Sequence, residues 1–176
     1  MSEIMIDLET LSTKPNALIL TIGAIKFNRN DKIKDINKLE TFYVRITQDS
    51  CKKLDMDIDE NTVKWWNQQT NEAKYEVFEN KDRIDIKDAL IKLSLFLKGH
   101  SYIWANSPSF DCVILENAFN KCNLEIPWKF WNIRDCRTIY DVGNINLKRI
   151  SKDTISHNAL NDCYNQIIGI QKFFIK

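Results

Sequence analysis

The hydrophobic positions in the first part of the chain follow the pattern of β-strands. Segments 4–10, 17–27 and 40–46 are rich in Ile, Val, Leu, Phe and Thr, and short polar links separate them. Runs of this kind between turn-forming residues indicate strands, and short links favour antiparallel pairing. We therefore predict an antiparallel meander of three strands. Gly23, in the middle of the second strand, indicates a bulge or a close approach by another part of the backbone.

In most of the remaining chain, hydrophobic residues recur at every third or fourth position, which indicates amphipathic helices. Preferred N-cap residues stand before three of these helices, at Asp59, Asp85 and Ser109. Gly99 follows the second helix, where a glycine commonly terminates a helix. The predicted helices cover roughly residues 60–69, 86–97, 110–122, 135–141 and 159–174.

The short apolar segment 101–105 is predicted to be a fourth strand. The chain reaches this strand through helices, and such a connection commonly places a strand parallel to an earlier one. We expect an α/β fold with a central mixed sheet of about five strands flanked by helices. The first three strands would be antiparallel, and the fourth would lie parallel to the first. Because the chain shows no internal repeat or linker, residues 1–176 are predicted to form a single domain.

Composition narrows the class of protein. A hydrophobic share of 44% and a charged share of 28% indicate a soluble globular chain. The N-terminus carries acids where a signal peptide carries bases, and the apolar runs are shorter than a membrane span, so no membrane partner is expected. The five cysteines form no CxxC pair, which favours reduced thiols and a cytoplasmic location, or the host cytoplasm if the protein is viral.

Two acids near the N-terminus are the first candidates for chemistry. Asp7 and Glu9 lie two residues apart in the first predicted strand, so the side-chain period of two places them on the same face. Like charges on a half-buried face repel each other, and a divalent cation such as Mg²⁺ or Mn²⁺, which prefers oxygen ligands, would relieve that repulsion. The alternative is an edge strand whose acids are solvated.

Two further acids stand on hydrophobic helix faces. Asp111 shares a helix face with Ile114 and Leu115, and Asp162 lies beside Cys163 in the final helix. The helix dipole also favours an acid in the first turn, which is the structural alternative for Asp111. The expected topology brings all four acids to the C-terminal edge of the first strand. Two divalent ions held there, about 3.5–4 Å apart, suit in-line attack on a phosphodiester.

His157 is the candidate general base, because a histidine with a pKa near neutrality can deprotonate an attacking water. It precedes Asp162 by five residues and follows a polar, basic loop. The other histidine, His100, follows Gly99 at a helix end and is expected to be structural. The chain lacks the motifs of P-loops and zinc sites.

The net charge of +1 argues neither for nor against a nucleic-acid partner. If four of the 24 acids bind metal, the remaining 20 acids face 25 basic residues, a balance mildly suited to a polyanion.

These candidates occur in the order of three motifs of a known enzyme family. Asp7-x-Glu9, then Asp111 in the sequence Ser-Pro-Ser-Phe-Asp, then His157 five residues before Asp162 resemble the DEDDh 3′–5′ exonucleases. The sequence within and around these motifs is most similar to the RNase T-like and phage exonuclease A branch, and the resemblance spans residues 4–170. Segments 6–10, 104–111 and 134–138 and the helix with Trp65 and Trp66 contribute to it.

The resemblance implies an RNase H-like fold of three layers and a two-metal active site. Asp7, Glu9, Asp111 and Asp162 would bind two Mg²⁺ or Mn²⁺ ions, with Asp7 bridging them. His157 would be the general base.

The resemblance also implies where the substrate binds. Thr10 and Leu11 would meet the 3′-terminal nucleotide, backbone to sugar and side chain to base. Trp65 or Trp66 would stack on a base, with a buried core role as the alternative for at least one of them. Near the scissile bond the candidates are Asn106 and Ser107, with a simple turn as the structural alternative. The candidates for contacts with phosphates are Lys148, Arg149 and Lys152, with a solvated basic loop as the alternative.

We therefore predict an exonuclease that releases nucleoside monophosphates from the 3′ ends of single-stranded nucleic acid. The Lys-, Asn- and Ile-rich composition is typical of an AT-rich genome, such as a viral one, and slightly favours DNA over RNA. Within the class the alternative is a 3′–5′ exoribonuclease, and outside it a non-catalytic nucleic-acid-binding module on the same fold. A structural domain with solvated acids would leave Asp111 and Asp162 unexplained. Because relatives often dimerise, a homodimer is an alternative to a monomer.

Overall fold

The computed structural model of the protein describes residues 2–33, 35–79, 81–146 and 157–175. The strands are β1 (Glu3–Thr10), β2 (Ile19–Phe27), β3 (Thr41–Ile46), β4 (Arg83–Ile84), β5 (Ile103–Ala105) and β6 (Ile133–Asp135). The helices are α1 (Gln48–Lys52), α2 (Glu60–Asn67), α3 (Asn71–Phe78), α4 (Ile86–Leu97), α5 (Asp111–Lys121), α6 (Cys136–Val142) and α7 (Ala159–Phe174). None of the helices in these ranges is long and apolar enough to cross a membrane.

The strands form one mixed sheet in the order β4-β3-β2-β1-β5-β6. As predicted, β1, β2 and β3 pair antiparallel, and β5 lies parallel to β1. A bulge interrupts the pairing of β1 with β2 between Glu9 and Thr10. The sequence prediction missed β4 and β6, which pair parallel to β3 and β5 at the two edges. They contain two and three residues, too few for an alternating pattern to show in the sequence.

Helices cover both faces of the sheet, and β1 contributes side chains to both. Ile4, Ile6 and Leu8 pack in the larger core, together with residues of α4 and α5. Met5 packs in the smaller core, together with residues of α6 and α7. Because side chains alternate along a strand, Asp7 and Glu9 lie on the same face as Met5, which is the α7 face. The layers are therefore helix, sheet and helix.

The sequence prediction missed two helices, α1 and α3, because few of their residues are buried. α1 has only five residues. In α3 only Ala73 and Val77 are buried, so no hydrophobic stripe marks it. Its beginning is fixed instead by Thr70, whose side chain accepts a hydrogen bond from the backbone N–H of Ala73 at 3.2 Å.

Two of the predicted helix starts and one predicted stop are confirmed. Asp59 caps α2 by accepting from the N–H of Thr62 at 2.9 Å, and Asp85 caps α4 by accepting from the N–H of Lys87 at 2.9 Å. Gly99 follows α4 with a φ of 84°, in the left-handed region that glycine adopts without strain.

The prediction that Ser109 caps α5 is wrong. The hydroxyl of Ser109 is hydrogen-bonded to that of Ser107 at 2.5 Å, and Phe110 occupies the N-cap position. The turn before the helix already directs the N–H of Asp111 to the carbonyl of Ser107 at 3.1 Å, so no side-chain cap is needed. Asp111 is consequently the first residue of α5.

Gly23 marks a close backbone approach, the second of the two predicted explanations. It pairs with Asp7 across β1 and β2. A Cβ at this position would lie 2.6 Å from the carbonyl carbon of Ala159 and 2.8 Å from the nitrogen of Leu160. The thiol of Cys163 lies 3.5 Å from the carbonyl oxygen of Gly23. The first turn of α7 therefore packs directly on the backbone of β2, beside Asp7.

A part-buried ion pair and its neighbours fix the other end of α7. Glu3, on β1, accepts hydrogen bonds from Nε of Arg29 and from Nε1 of Trp104, each at 2.6 Å. The guanidinium of Arg29 lies 4.9 Å from the ring centre of Phe174. The side chain of Gln171 hydrogen-bonds the backbone of the turn after β2. Both ends of α7 are thus attached to the sheet.

We expect Gly23→Ala to destabilise the protein and to displace the first turn of α7. The added methyl group would meet backbone atoms of Ala159 and Leu160, which cannot rotate away as a flexible side chain can. Overpacking of this kind costs roughly 1–3 kcal/mol, and each kcal/mol corresponds to about 2–4 °C in Tm for a chain of this length. Chemical denaturation and calorimetry measure the loss.

Gly99→Ala is the matched control, because Gly99 has a positive φ but open space around its Cα. It should show the conformational penalty without any change at α7. A Gly23→Ala protein as stable as the wild type would contradict the close packing of the first turn of α7 on the backbone at Gly23.

Candidate active site

The end of β1 and the first turns of α5 and α7 enclose a cavity of about 670 Å³. All five residues of the predicted core site line it, namely Asp7, Glu9, Asp111, His157 and Asp162. Residues from three distant parts of the sequence therefore meet at one edge of the sheet.

Asp111 is attached to β1 by a backbone hydrogen bond. Its side chain is 2% exposed, and its Oδ1 accepts from the N–H of Leu8 at 3.2 Å. Because Leu8 lies between Asp7 and Glu9, this bond fixes the start of α5 against the residue that separates the two strand acids.

His157 and Asp162 are held together at the start of α7. Asn158 caps the helix by accepting from the N–H groups of Leu160 and Asn161. Asp162 Oδ2 accepts from the backbone N–H of His157 at 3.1 Å. His157 has a φ of 64°, in the left-handed region that is costly for a residue with a Cβ. The Asp162 bond helps to hold the histidine backbone in this conformation.

The imidazole ring of His157 lies between aromatic and acidic neighbours. It contacts Trp65 edge-to-face, with ring centres 4.8 Å apart, and its centre lies 6.0 Å from that of Trp66. One potential ligand atom from each of Glu9, His157 and Asp162 lies within 4.8 Å of the other two. A water or a cation between these three side chains would be within reach of all of them.

Gln166 is a site residue that the sequence did not reveal. Its Nε2 donates to Asp7 Oδ1 at 2.7 Å, and its Oε1 is buried without a hydrogen-bond partner among the described residues. Gln166 lies four residues after Asp162, so both side chains are on one face of α7. That spacing was the available signal, but glutamine is common in helices and does not stand out.

Burial and mutual repulsion oppose ionisation of Asp7. Burial raises the pKa of Asp7 well above its usual value, and the charges of Asp111, Glu9 and Asp162 raise it further. The hydrogen bond from Gln166 acts in the opposite direction and is the weaker effect. Asp7 is thus the acid whose pKa is raised by the charges of all three others.

The other acids are shifted in the same direction. Burial, with the charges of Asp162 and Asp111, raises the pKa of Glu9 well above its usual value. Burial raises the pKa of Asp111 to about 7 and that of Asp162 to about 6. Burial also lowers the pKa of His157, which keeps the imidazole neutral at physiological pH.

This donor set fits divalent cations. Four carboxylates converge in one cavity, and their raised pKa values show that the fold alone does not compensate their charge. Oxygen ligands of this type are those that Mg²⁺ and Mn²⁺ prefer. A bound cation would favour the ionised form of every one of these acids.

The two adjacent tryptophans differ in position. Trp66 is 2% exposed, and its Nε1 donates to the carbonyl of Thr10 at 2.9 Å, so it has the core role given above as an alternative. Trp65 is 40% exposed and lines the cavity. Thr10 lines a second cavity of about 660 Å³, which adjoins the first along Glu9 and Trp65. The side chain of Leu11 packs in the larger core instead.

The remaining predicted contacts are only in part described. Asn106 and Ser107 line the first cavity. Lys148, Arg149 and Lys152 lie outside the described residues. Besides Gln166, the lining residues that the sequence did not predict as site residues are Leu8, Ser109, Phe110, Arg137 and Asn165.

The chain is similar to known proteins in sequence and in fold. Residues 2–173 match the family model described as the 3′–5′ exoribonuclease Rv2179c-like domain. An exodeoxyribonuclease of Enterobacteria phage T4 is 25% identical over 96% of this chain and 87% of the phage protein.

Solved exonuclease structures share the fold at low sequence identity. Exonuclease I from Methylocaldum szegediense superposes with a TM-score of 0.69 at 12% identity, over 97% of this chain. The chain spans only 40% of the length of that protein. The nuclease domain of 3′hExo, a DEDDh family member bound to rAMP, gives a TM-score of 0.62 at 14% identity, over 99% of this chain and 94% of the domain. These likenesses confirm the RNase H-like, three-layer fold.

We expect the metal-free protein to lose stability as the pH rises from about 4 to about 7. The folded-state pKa values of Asp162 and Asp111 are raised to about 6 and about 7, so the folded state binds more protons than the unfolded state in this range. The stability that this contributes is complete below the unfolded pKa and is lost as the pH rises through the folded values. Thermal unfolding in the presence of a chelator measures the slope, and Mn²⁺ should remove it.

Asp111→Asn should flatten the pH dependence in the chelator, because the amide has the shape of the acid without its charge. Asp82→Asn, at an exposed turn residue with a φ of 57°, is the matched control and should leave the slope unchanged. The stability of the metal-free wild type could instead rise across this range, with the same pH dependence in Asp111→Asn. That result would refute repulsion among the buried acids of the folded state.

Proposed function

The chain belongs to the Rv2179c-like family of 3′–5′ exoribonuclease domains, and we propose that the cavity at the end of β1 is where it hydrolyses the 3′-terminal phosphodiester bond of single-stranded nucleic acid. The observation that carries this proposal is the convergence of four acidic side chains and a histidine in one cavity. The products are a nucleoside monophosphate and a strand shorter by one nucleotide.

In this proposal Asp7, Glu9, Asp111 and Asp162 would hold two divalent cations, Mg²⁺ or Mn²⁺. When bound, the two cations supply positive charge to the phosphate and lower the pKa of a water molecule. Asp7 is the acid whose charge interacts with those of all three others, so bound cations would relieve repulsion at this ligand from every side. Gln166 orients Asp7 by holding one of its carboxylate oxygens. An outer residue of this kind commonly contributes about 10–100-fold to metal affinity or activity.

His157 acts as the general base. Burial lowers its pKa, so at neutral pH the ring has a free nitrogen that can accept a proton. The ring takes the proton of the attacking water as the water oxygen bonds to phosphorus. The bond from phosphorus to the 3′-oxygen of the preceding nucleotide breaks, and that oxygen is protonated from solvent. The edge-to-face contact with Trp65 supports the orientation of the ring.

The terminal nucleotide binds in the second cavity, which adjoins the acids along Glu9 and Trp65. Trp65 is 40% exposed, so a base can stack on its ring, and such stacking contributes roughly 1–3 kcal/mol for any base. Thr10 supplies backbone groups near the sugar. Trp66 and Leu11 support this wall from the core.

We propose DNA as the preferred substrate. The relationship to a phage exodeoxyribonuclease extends over nearly the whole of both chains, which supports this choice. RNA is the second candidate, because the description of the family names exoribonuclease activity.

With matched 5′-labelled DNA and RNA oligonucleotides, we expect progressive shortening from the 3′ end in Mg²⁺ or Mn²⁺ and none in a chelator. DNA should be degraded faster than RNA, and a 3′-phosphate should block the reaction. Products resolved by size give both polarity and preference. Shortening from the 5′ end, or equal activity in the chelator, would overturn the proposal, and faster loss of RNA would reverse the substrate preference alone.

His157→Ala should lower kcat by about 10²–10⁴-fold, because a positioned general base contributes an effect of that size. Calorimetric titration with Mn²⁺ should give the same affinity as the wild type if the ring is not a metal ligand. His100→Ala is the control, since Nδ1 of His100 lies 3.2 Å and 3.1 Å from the carbonyl oxygens of Leu97 and Lys98 at the end of α4 and His100 does not line the acidic cavity. If His157→Ala lost Mn²⁺ affinity by a factor similar to its loss of kcat, His157 would instead be a metal ligand.

A further inference from the structure

Arg137 is the only Lys or Arg among the described residues that line the acidic cavity. It is exposed on the first turn of α6, and its charge acts to lower the pKa of Asp111, which shows that it lies near the acids. Within the described part of the chain it forms no salt bridge and no side-chain hydrogen bond. An uncommitted guanidinium at the rim of an anionic cavity is available to an anionic group of a ligand.

The fold holds the backbone of Arg137 in place. Asp135 caps α6 by accepting from the N–H groups of Arg137 and Thr138, each at 3.2 Å. Asp135 also pairs with Ala105 across β5 and β6. Asn106, which follows Ala105, and the start of α6 therefore lie side by side at the edge of the sheet where β1 ends.

The neighbouring arginine has a different role. Nη1 of Arg134 donates to the carbonyls of Trp131 and Ile133, each at 2.8 Å, and its guanidinium lies 4.0 Å from the ring centre of Tyr102. Its hydrogen-bonding groups serve the fold. Of the two arginines in the segment 134–138, only Arg137 is free of such contacts.

A third cavity, also of about 670 Å³, begins at Arg137. It shares Asn106 and Arg137 with the acidic cavity and continues along α6 past Tyr140 to Asn144. It shares no residue with the cavity of Thr10 and Trp65. The acids thus lie between two different openings, one with an exposed aromatic ring and one with an unpaired arginine.

The chemistry of the two openings separates the two parts of a strand. The opening at Trp65 offers a stacking surface, and its only Lys or Arg among the described lining residues, Lys14, is paired with Asp57 at 2.9 Å. A terminal nucleotide needs a surface for its base, whereas the strand upstream of the cut carries a phosphate at every nucleotide. A cation is therefore most useful on the upstream side.

We propose that Arg137 binds a phosphate on the 5′ side of the scissile bond, and that the upstream strand leaves through the cavity lined by Asn106, Arg137 and Asn144. This inference rests on the proposed exonuclease function. It makes Arg137 a substrate-binding residue and fixes the direction in which the strand crosses the site.

Two substrates test the assignment. Oligothymidylate has upstream phosphates, whereas thymidine 5′-(p-nitrophenyl phosphate) has the terminal nucleotide and the scissile phosphate but nothing upstream. For Arg137→Gln we expect kcat/KM on the oligonucleotide to fall about tenfold or more, mainly through KM, because a hydrogen bond to a charged group is lost. Hydrolysis of the ester should stay unchanged. The salt dependence of oligonucleotide binding, as log K against log salt, should weaken by about 0.7, the value for one phosphate contact on a single strand.

Lys92→Gln is the control for loss of one positive charge, since Lys92 is exposed on α4, on the other face of the sheet. Arg137→Lys should restore the salt dependence and only part of the affinity, because lysine cannot bind bidentately. Equal losses on both substrates would place Arg137 on the scissile phosphate, and no loss on either would remove it from the substrate path. Both results overturn the inference while the wild type stays active. A wild type inactive on both substrates would instead refute the exonuclease function.

Discussion

The contact between the first turn of α7 and the backbone of β2 is the constraint on which the site depends. Gly23 permits it, because any Cβ there would overlap the backbone of Ala159 and Leu160. The contact lies directly across from Asp7, since Asp7 and Gly23 are paired. α7 supplies Asp162 and Gln166 to the cavity, and His157 directly precedes the N-cap of this helix. The position of α7 therefore determines whether these three residues meet the acids of β1 and α5. The anchoring of Phe174 and Gln171 at the other end of α7 keeps the helix from pivoting about that contact.

This arrangement concentrates negative charge in a buried site, and the repulsion between the charges destabilises the folded state. Each of the four acids has a raised pKa, and the hydrogen bonds from Leu8 and Gln166 offset only part of the penalty. Apolar packing on both faces of β1 holds the acids together against their repulsion. Divalent cations would remove the repulsion and use the same carboxylates for binding. A site of this kind is least stable when empty and most stable when loaded, so folding and metal binding favour each other.

The sequence predicted those features that leave a mark at the level of residue type. Asp7 and Glu9 were recognisable because acids are unusual in an apolar strand, and Gly23 because glycine is unusual there. The cap at Asp59 followed from residue preference. Other features depend on tertiary packing alone. The bond from Leu8 to Asp111 uses a backbone N–H that every such residue has. Trp65 and Trp66 are chemically identical neighbours, and only the packing of α2 decides which one is buried.

The same limit explains why residue preference predicts a capping role for Ser109, which it does not have, and no role for Gln166. A serine before a helix is a good N-cap by statistics, but here a tight turn supplies the hydrogen bonds and the hydroxyl turns to Ser107. Gln166 gains its importance only because α7 lies over Asp7, a fact set by Gly23 on a different strand. The direction proposed for a bound strand would have a similar origin. In that proposal it follows from the asymmetry between an aromatic wall at Trp65 and a cationic rim at Arg137, which come from separate helices on the two sides of the acids. Polarity would then be a property of the assembled edge of the sheet and not of any single motif.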